Sequence, residues 1–164
     1  MTAAVVFFVA LAGPCLYAAW SDLRRMTIPN TVVLACLGLY VVLGPMVLPF
    51  EAFLWRFVPA LPVLVAGFRL HLTCQFGAGD AKFATVLVLF VAPHELTTVI
   101  WIYAILSLLS VGVLFAIRRA APAMAAASSM KSLNSGRAFP LGLPLALTIM
   151  VYLALVIRHH LMIS

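Results

Sequence analysis

Apolar residues run in long stretches along this chain, and polar residues gather into short breaks between them. Roughly 17 to 25 apolar residues cross a bilayer as helix, and six stretches are candidates for such helices. The first covers residues 3–20 and the second residues 31 to about 48, where Gly44, Pro45 and Pro49 punctuate the exit. The third, about 52–70, carries Arg56 near its start and Pro59 and Pro62 inside it. Prolines there remove backbone hydrogen bonds and favour kinks. The fourth runs from Asp80 to about Ala92 and is short. Begun at Gly77 it has about 16 residues, roughly 24 Å at 1.5 Å per residue, so its start is expected below the headgroups with Asp80 facing a polar cavity. The fifth covers about 96–117 and the sixth about 141–157, separated by the long loop 118–139, which is rich in Ala, Ser, Met and basic residues. The pattern predicts an all-α polytopic membrane protein, a bundle of about six transmembrane helices forming a single domain over residues 1–164.

Composition agrees. With 66% of residues hydrophobic and 9% charged, the chain lacks the polar surface that a soluble domain of this length needs. The first stretch reads as a retained helix, because Met1 to Phe8 has no Lys or Arg to form the basic start of a removable signal. The net charge of +6 is a topology signal. Lys and Arg near span ends stay on the cytoplasmic side, and Arg24, Arg25, Arg69, Lys82, Arg118, Arg119, Lys131 and Arg137 share one side. Glu51 and Glu95 fall on the other, with Arg56 and Arg158 as basic exceptions. A nucleic-acid partner is not expected. Arg56 reads as a side chain snorkelling near a helix end. Cys15, Cys36 and Cys74 have no CxxC spacing and read as buried thiols. His71, His94, His159 and His160 show no ligand pattern, so no metal and no cofactor is expected.

The chemistry narrows to two carboxylates. Asp22 and Asp80 are the only aspartates, each at a polar break between apolar runs and both on the basic side. Carboxylates at membrane boundaries are costly and usually functional. Peptide hydrolysis by such a pair needs one ionised oxygen to take a proton from water and one protonated oxygen to polarise the scissile carbonyl. Two close carboxylates arrange this by sharing a proton that belongs to the pair. Asp22 and Asp80 are therefore the candidate catalytic residues. Gly77 and Gly79 leave room for a substrate backbone beside Asp80 and allow unusual backbone angles. Pro29 and Asn30 read as the turn and cap opening the second helix, a positioning role. Lys82, two residues past Asp80, points away from it on a helix and anchors the helix end or influences the field at the pair.

Asp22 followed by Ile28-Pro29-Asn30, then Gly77-Ala78-Gly79-Asp80-Ala81-Lys82, resemble the two signatures of type IV prepilin peptidases. The stretch Phe139-Pro140-Leu141-Gly142-Leu143-Pro144-Leu145-Ala146 is similar to the Pro-x-Gly segment at that family's last helix. A lone GxGD is a weak signal, whereas these elements in order on six apolar runs are a strong one. The resemblance implies an intramembrane aspartic endopeptidase of the bacterial inner membrane. It would remove the basic leader from prepilins or pseudopilins at the cytoplasmic face, for pilus assembly or secretion, with Asp22 and Asp80 catalytic. The connection after the first run is about ten residues long and contains no cysteine, so methylation of the product is not expected. The chain is most similar to the short branch without a methyltransferase region, which serves Flp-type, tight-adherence pili.

Blander roles exist for each residue alone. Asp22 can pair with Arg24 or Arg25 in a surface cluster, and Asp80 can cap the fourth helix. A proton-coupled transporter and a noncatalytic assembly protein of a pilus or secretion machine are the competing functional classes.

Overall fold

The computed structural model describes residues 2–73, 77–120 and 139–163, and every regular element among them is a helix. They are α1 (Thr2–Arg25), α2 (Asn30–Val47), α3 (Phe50–Trp55), α4 (Phe57–Leu72), α5 (Ala78–Val88), a 3-10 turn (Pro93–Glu95), α6 (Leu96–Ala120) and α7 (Gly142–Ile163). Five segments are long and apolar enough to cross a membrane: α1, α2, α3 with α4, the turn with α6, and α7. The sixth of the expected helices is α5, whose 11 residues extend only about 16 Å.

α1 and α7 pack along each other, α4 packs on α5, and α6 rests mainly on α7. The stripe that α1 turns inward is Ala4, Phe7, Leu11, Cys15, Ala18 and Asp22. Its spacing of three and four residues is that of a single helix face, so Asp22 is buried because it continues the core stripe of its own helix. Cys36 and Tyr40 of α2, Phe83 of α5 with Phe90 just beyond it, and Ile149 and Leu153 of α7 complete the centre. Cys15 and Cys36 are buried free thiols, as expected, while Cys74 lies outside the described residues.

Two helices depart from the sequence pattern for identifiable reasons. The third run is broken at Arg56 into α3 and α4. Pro59 cannot donate to the Trp55 carbonyl, and its ring would crowd that oxygen in a continuous helix. The fourth run stops at Val88, closes with i to i−3 bonds from Leu89, Phe90 and Val91, and is extended at Ala92 (φ −69°, ψ 134°). Ala92 precedes Pro93, which disfavours helical backbone there. Of the loop expected over 118–139, residues 118–120 are the end of α6 and 121–138 lie outside the described residues.

Arg56 faces inward, contrary to the snorkelling expectation. Its Nη1 donates to the Leu89 carbonyl at 3.4 Å, its guanidinium lies 5.9 Å from the centre of the Phe7 ring, and Glu95 and Tyr152 are within its electrostatic reach. The Tyr152 hydroxyl donates to Glu95 and accepts from the Ala92 N–H at 3.2 Å. The break in the third run delivers the arginine to this partner set, and a charge held among partners needs no route to the headgroups. Phe7, Tyr40, Phe53 and Phe90 pack beside it, with Tyr40 stacked on Phe53 and edge-on to Phe90, and the Tyr40 hydroxyl donates to the Phe53 carbonyl at 2.9 Å.

Gly67 lets α4 and α5 approach closely, since a Cβ there would lie 2.8 Å from the Ala81 Cβ and 3.2 Å from its Cα. Small residues at such crossings are how membrane helices gain contact. Gly67→Leu is expected to force α5 away, costing about 1–3 kcal/mol by overpacking. Reversible unfolding in mixed micelles measures this, with Gly38→Leu as control because a Cβ at Gly38 meets nothing within 4 Å.

Candidate active site

Two helix starts and one helix end meet at one end of the bundle. α1 finishes with Arg24 and Arg25, followed by Met26 in the left-handed region at φ 56°, with the Met26 N–H bonded to the Asp22 carbonyl at 2.8 Å. This turns the chain back towards α2. Ser21, almost fully buried, fixes the return by donating its hydroxyl to the Thr27 carbonyl at 2.9 Å. Pro29 occupies the cap position of α2 without a side-chain cap bond. Asn30 is the first helical residue and is exposed, so Pro29 shapes the turn and Asn30 supplies no cap. Ile28, between these elements, is buried.

Asp22 is only 3% exposed, which is incompatible with a solvated cluster with its arginine neighbours. Its Oδ2 accepts the Leu143 N–H at 3.1 Å, and the Gly142 N–H is a second backbone donor. Backbone donors in the first turn of a helix have no intrahelical partners, and the helix dipole favours negative charge there. The third residue of α7 is Pro144, which has no N–H. Asp22 therefore takes the donors that this helix start has to offer, which offsets its unfavourable place in the last turn of α1. A side chain at Gly142 would crowd both neighbours, because a Cβ there would lie 3.0 Å from Asp22 Oδ2 and 2.6 Å from Ile28 Cδ1.

Asp80 is the third residue of α5, after the cap Gly77. Its carboxyl accepts the Gly77 N–H, the reciprocal half of a capping box, so the helix-cap reading of Asp80 holds alongside any chemical one. Gly77 is extended (φ −68°, ψ 138°) and exposed, and a Cβ there would stand 2.6 Å from Asp80 Oδ2. At Gly79 a Cβ would stand 3.1 Å from the Ile28 carbonyl oxygen. Ile28 is thus wedged between the starts of α5 and α7, and the glycines of both starts make the fit possible.

The two carboxylates lie within electrostatic reach of one another. Tyr103 of α6, which no local motif marks, is also within reach of Asp80 and half-buried. Lys82 is exposed, on a different face of α5 from Asp80 as the two-residue spacing requires. The structure brings together Asp22, Asp80, Gly77 and Gly79, places Pro29 in the adjoining turn, and leaves Asn30 and Lys82 at the surface. Ser21 and the amides of Gly142 and Leu143 have roles that sequence reading missed; the Pro-x-Gly segment was the one visible signal for the two amides. Among the described residues no group of three or more His, Cys, Asp or Glu side chains could hold a metal.

A model of the type IV leader peptidase family matches residues 9–158. No curated protein and no solved structure matches the chain. The family match spans nearly all of the sequence, from α1 to the last helix, and the chain belongs to the type IV leader peptidase family. With five helices able to cross a membrane, it is a multi-pass membrane peptidase.

Gly142→Ala is expected to push the Asp22 carboxylate off the α7 amides and to reduce peptidase activity by about ten-fold or more, given a loss of one or two charge-assisted hydrogen bonds. Gly112→Ala, where a Cβ meets nothing within 4 Å, is expected to retain activity. Rates of leader removal by the two purified variants measure the difference.

Proposed function

We propose that this leader peptidase is an aspartic endopeptidase in which Asp22 and Asp80 share one proton and activate one water between them. The observation that carries the proposal is the paired setting of the carboxylates. Each comes from a different helix, each accepts backbone donors at a helix start, and each is within the electrostatic reach of the other. Fixed donors hold the oxygens without reorganisation during reaction, as efficient catalysis requires. One oxygen removes a proton from water as it attacks, and the protonated member donates to the scissile carbonyl oxygen.

The substrate in this reading is a prepilin or pseudopilin of the Flp type, and the whole chain acts as one catalytic domain in the bacterial inner membrane. Arg24, Arg25, Arg69 and Lys82 lie at the ends of helices that meet at the carboxylates, and positive charge of this kind favours the cytoplasmic side. The basic leader stays at the headgroups while the apolar segment behind it enters between helices. Exposed Gly77 keeps the space before Asp80 clear for the extended peptide, Gly79 draws α5 against Ile28, and Pro29 sets the turn that places Ile28. Lys82 holds the start of α5 at the headgroups, and Asn30 meets the aqueous face.

Asp22→Asn and Asp80→Asn are each expected to lower leader removal by about 1,000-fold or more, the scale seen when one member of a catalytic unit is lost, while membrane insertion persists. Mass spectrometry of the pilin N-terminus, with and without each variant, reads the outcome. Normal cutting by either variant refutes the pair.

A further inference from the structure

A cavity of about 330 Å³ lies between α4, α5, α6 and α7. Its wall on α5 includes Ala84, Leu87 and Val88, with Val91 just beyond the helix end; the three helical residues follow Asp80 at four, seven and eight positions. Those intervals keep to one helix face, so this wall begins one helical turn, a rise of about 6 Å along the axis, after Asp80. Tyr103 lines it from α6 and lies within reach of Asp80, which marks the end of the cavity that meets the candidate dyad. The remaining wall is almost wholly apolar, and its hydroxyl on Thr148 is engaged by the Pro144 carbonyl at 2.7 Å. α4 and α6 flank the space without packing substantially on one another, leaving an approach from the lipid side. An apolar cavity of about 150 Å³ already holds benzene, so the space exceeds a large aliphatic or aromatic side chain.

We propose that this cavity is a side-chain subsite for the substrate, receiving one large apolar residue from the first turn of the segment that follows the cut. The proposal rests on the leader-peptidase reading above. The leader remains at the surface, and so the chain running deeper than Asp80 is the apolar part of the substrate. An apolar side chain seated one turn below the carboxylates would fix the register of the scissile bond and contribute binding energy at a distance from the reacting atoms. The exposed aliphatic face that α6 offers at Ile105, Leu108 and Leu109 gives no comparable enclosure.

The test uses the full-length protein in proteoliposomes and prepilins carrying Ala, Leu or Phe in turn at each of the first four positions after the cut. At one of these positions the unmodified chain is expected to favour Leu or Phe over Ala by ten-fold or more in kcat/KM. Ala84→Leu, which fills the cavity, is expected to erase that preference by penalising the large residue at least ten-fold more than alanine. Val99→Ala, which enlarges it from α6, is expected to move the optimum towards Trp at the same position. A photo-reactive residue at that position should label the α4, α5 or α6 wall in the Asp22→Asn protein. Cutting with no size preference at any of the four positions, equal losses for all substrates with Ala84→Leu and no shift with Val99→Ala, or labelling confined to other helices, each overturns the subsite while leaving the peptidase reading intact. Failure of the unmodified chain to cut any prepilin overturns both.

Discussion

Everything at the candidate active site depends on two helix starts converging on two carboxylates. α7 gives its first amides to Asp22 and α5 gives its cap amide to Asp80, so each acidic group is held by backbone instead of by a mobile basic side chain. In an apolar bundle this matters, since an unpaired carboxylate is costly to bury and a helix start with unsatisfied amides is costly too. Each deficit relieves the other. The connection also spans the chain: Asp22 and Leu143 are at opposite ends of the sequence, so the site cannot be complete until the first and last helices have packed. The family match from residue 9 to residue 158 covers both ends of that contact.

The opposite end of the bundle has a different task. There Arg56, Glu95 and Tyr152 connect the break between α3 and α4 with the turn before α6 and the body of α7, and aromatic rings fill the space around them. Aromatic packing here is a platform for the short helix α5, which meets it through Phe90 just past its end and lies close against α4 at Gly67 and Ala81. α6, with Leu114 alone buried among its residues, packs mainly on α7, and it borders the cavity that begins one turn after Asp80.

Much of this was legible from residues alone. Apolar stretches located the helices, because burial in lipid constrains composition more strongly than burial in a soluble core. The shortness of the fourth run and the two aspartates were visible as well, since glycine, proline and charge are conspicuous against an apolar background. What escaped was geometry that depends on packing. Arg56 looked like a residue near a span end, and only the break three residues before Pro59 turns it inward. Asn30 looked like a cap, yet Pro29 takes that position. Gly142 was visible inside a Pro-x-Gly segment, but its reason is the carboxylate of a residue 120 positions earlier, as close as 3.0 Å to where a Cβ would be. Tyr103 carries no local signal, because it meets Asp80 through tertiary structure alone.

A peptidase inside a membrane must admit water without becoming a leak for protons. The 11 residues of α5 reach only about half-way across a hydrocarbon layer about 30 Å thick. Beyond their end the rings of Phe7, Tyr40, Phe53 and Phe90 pack on one another. The stubby helix thus ends against a layer of packed aromatic rings, which limits how far a polar approach running along α5 from Asp80 can extend into the bundle.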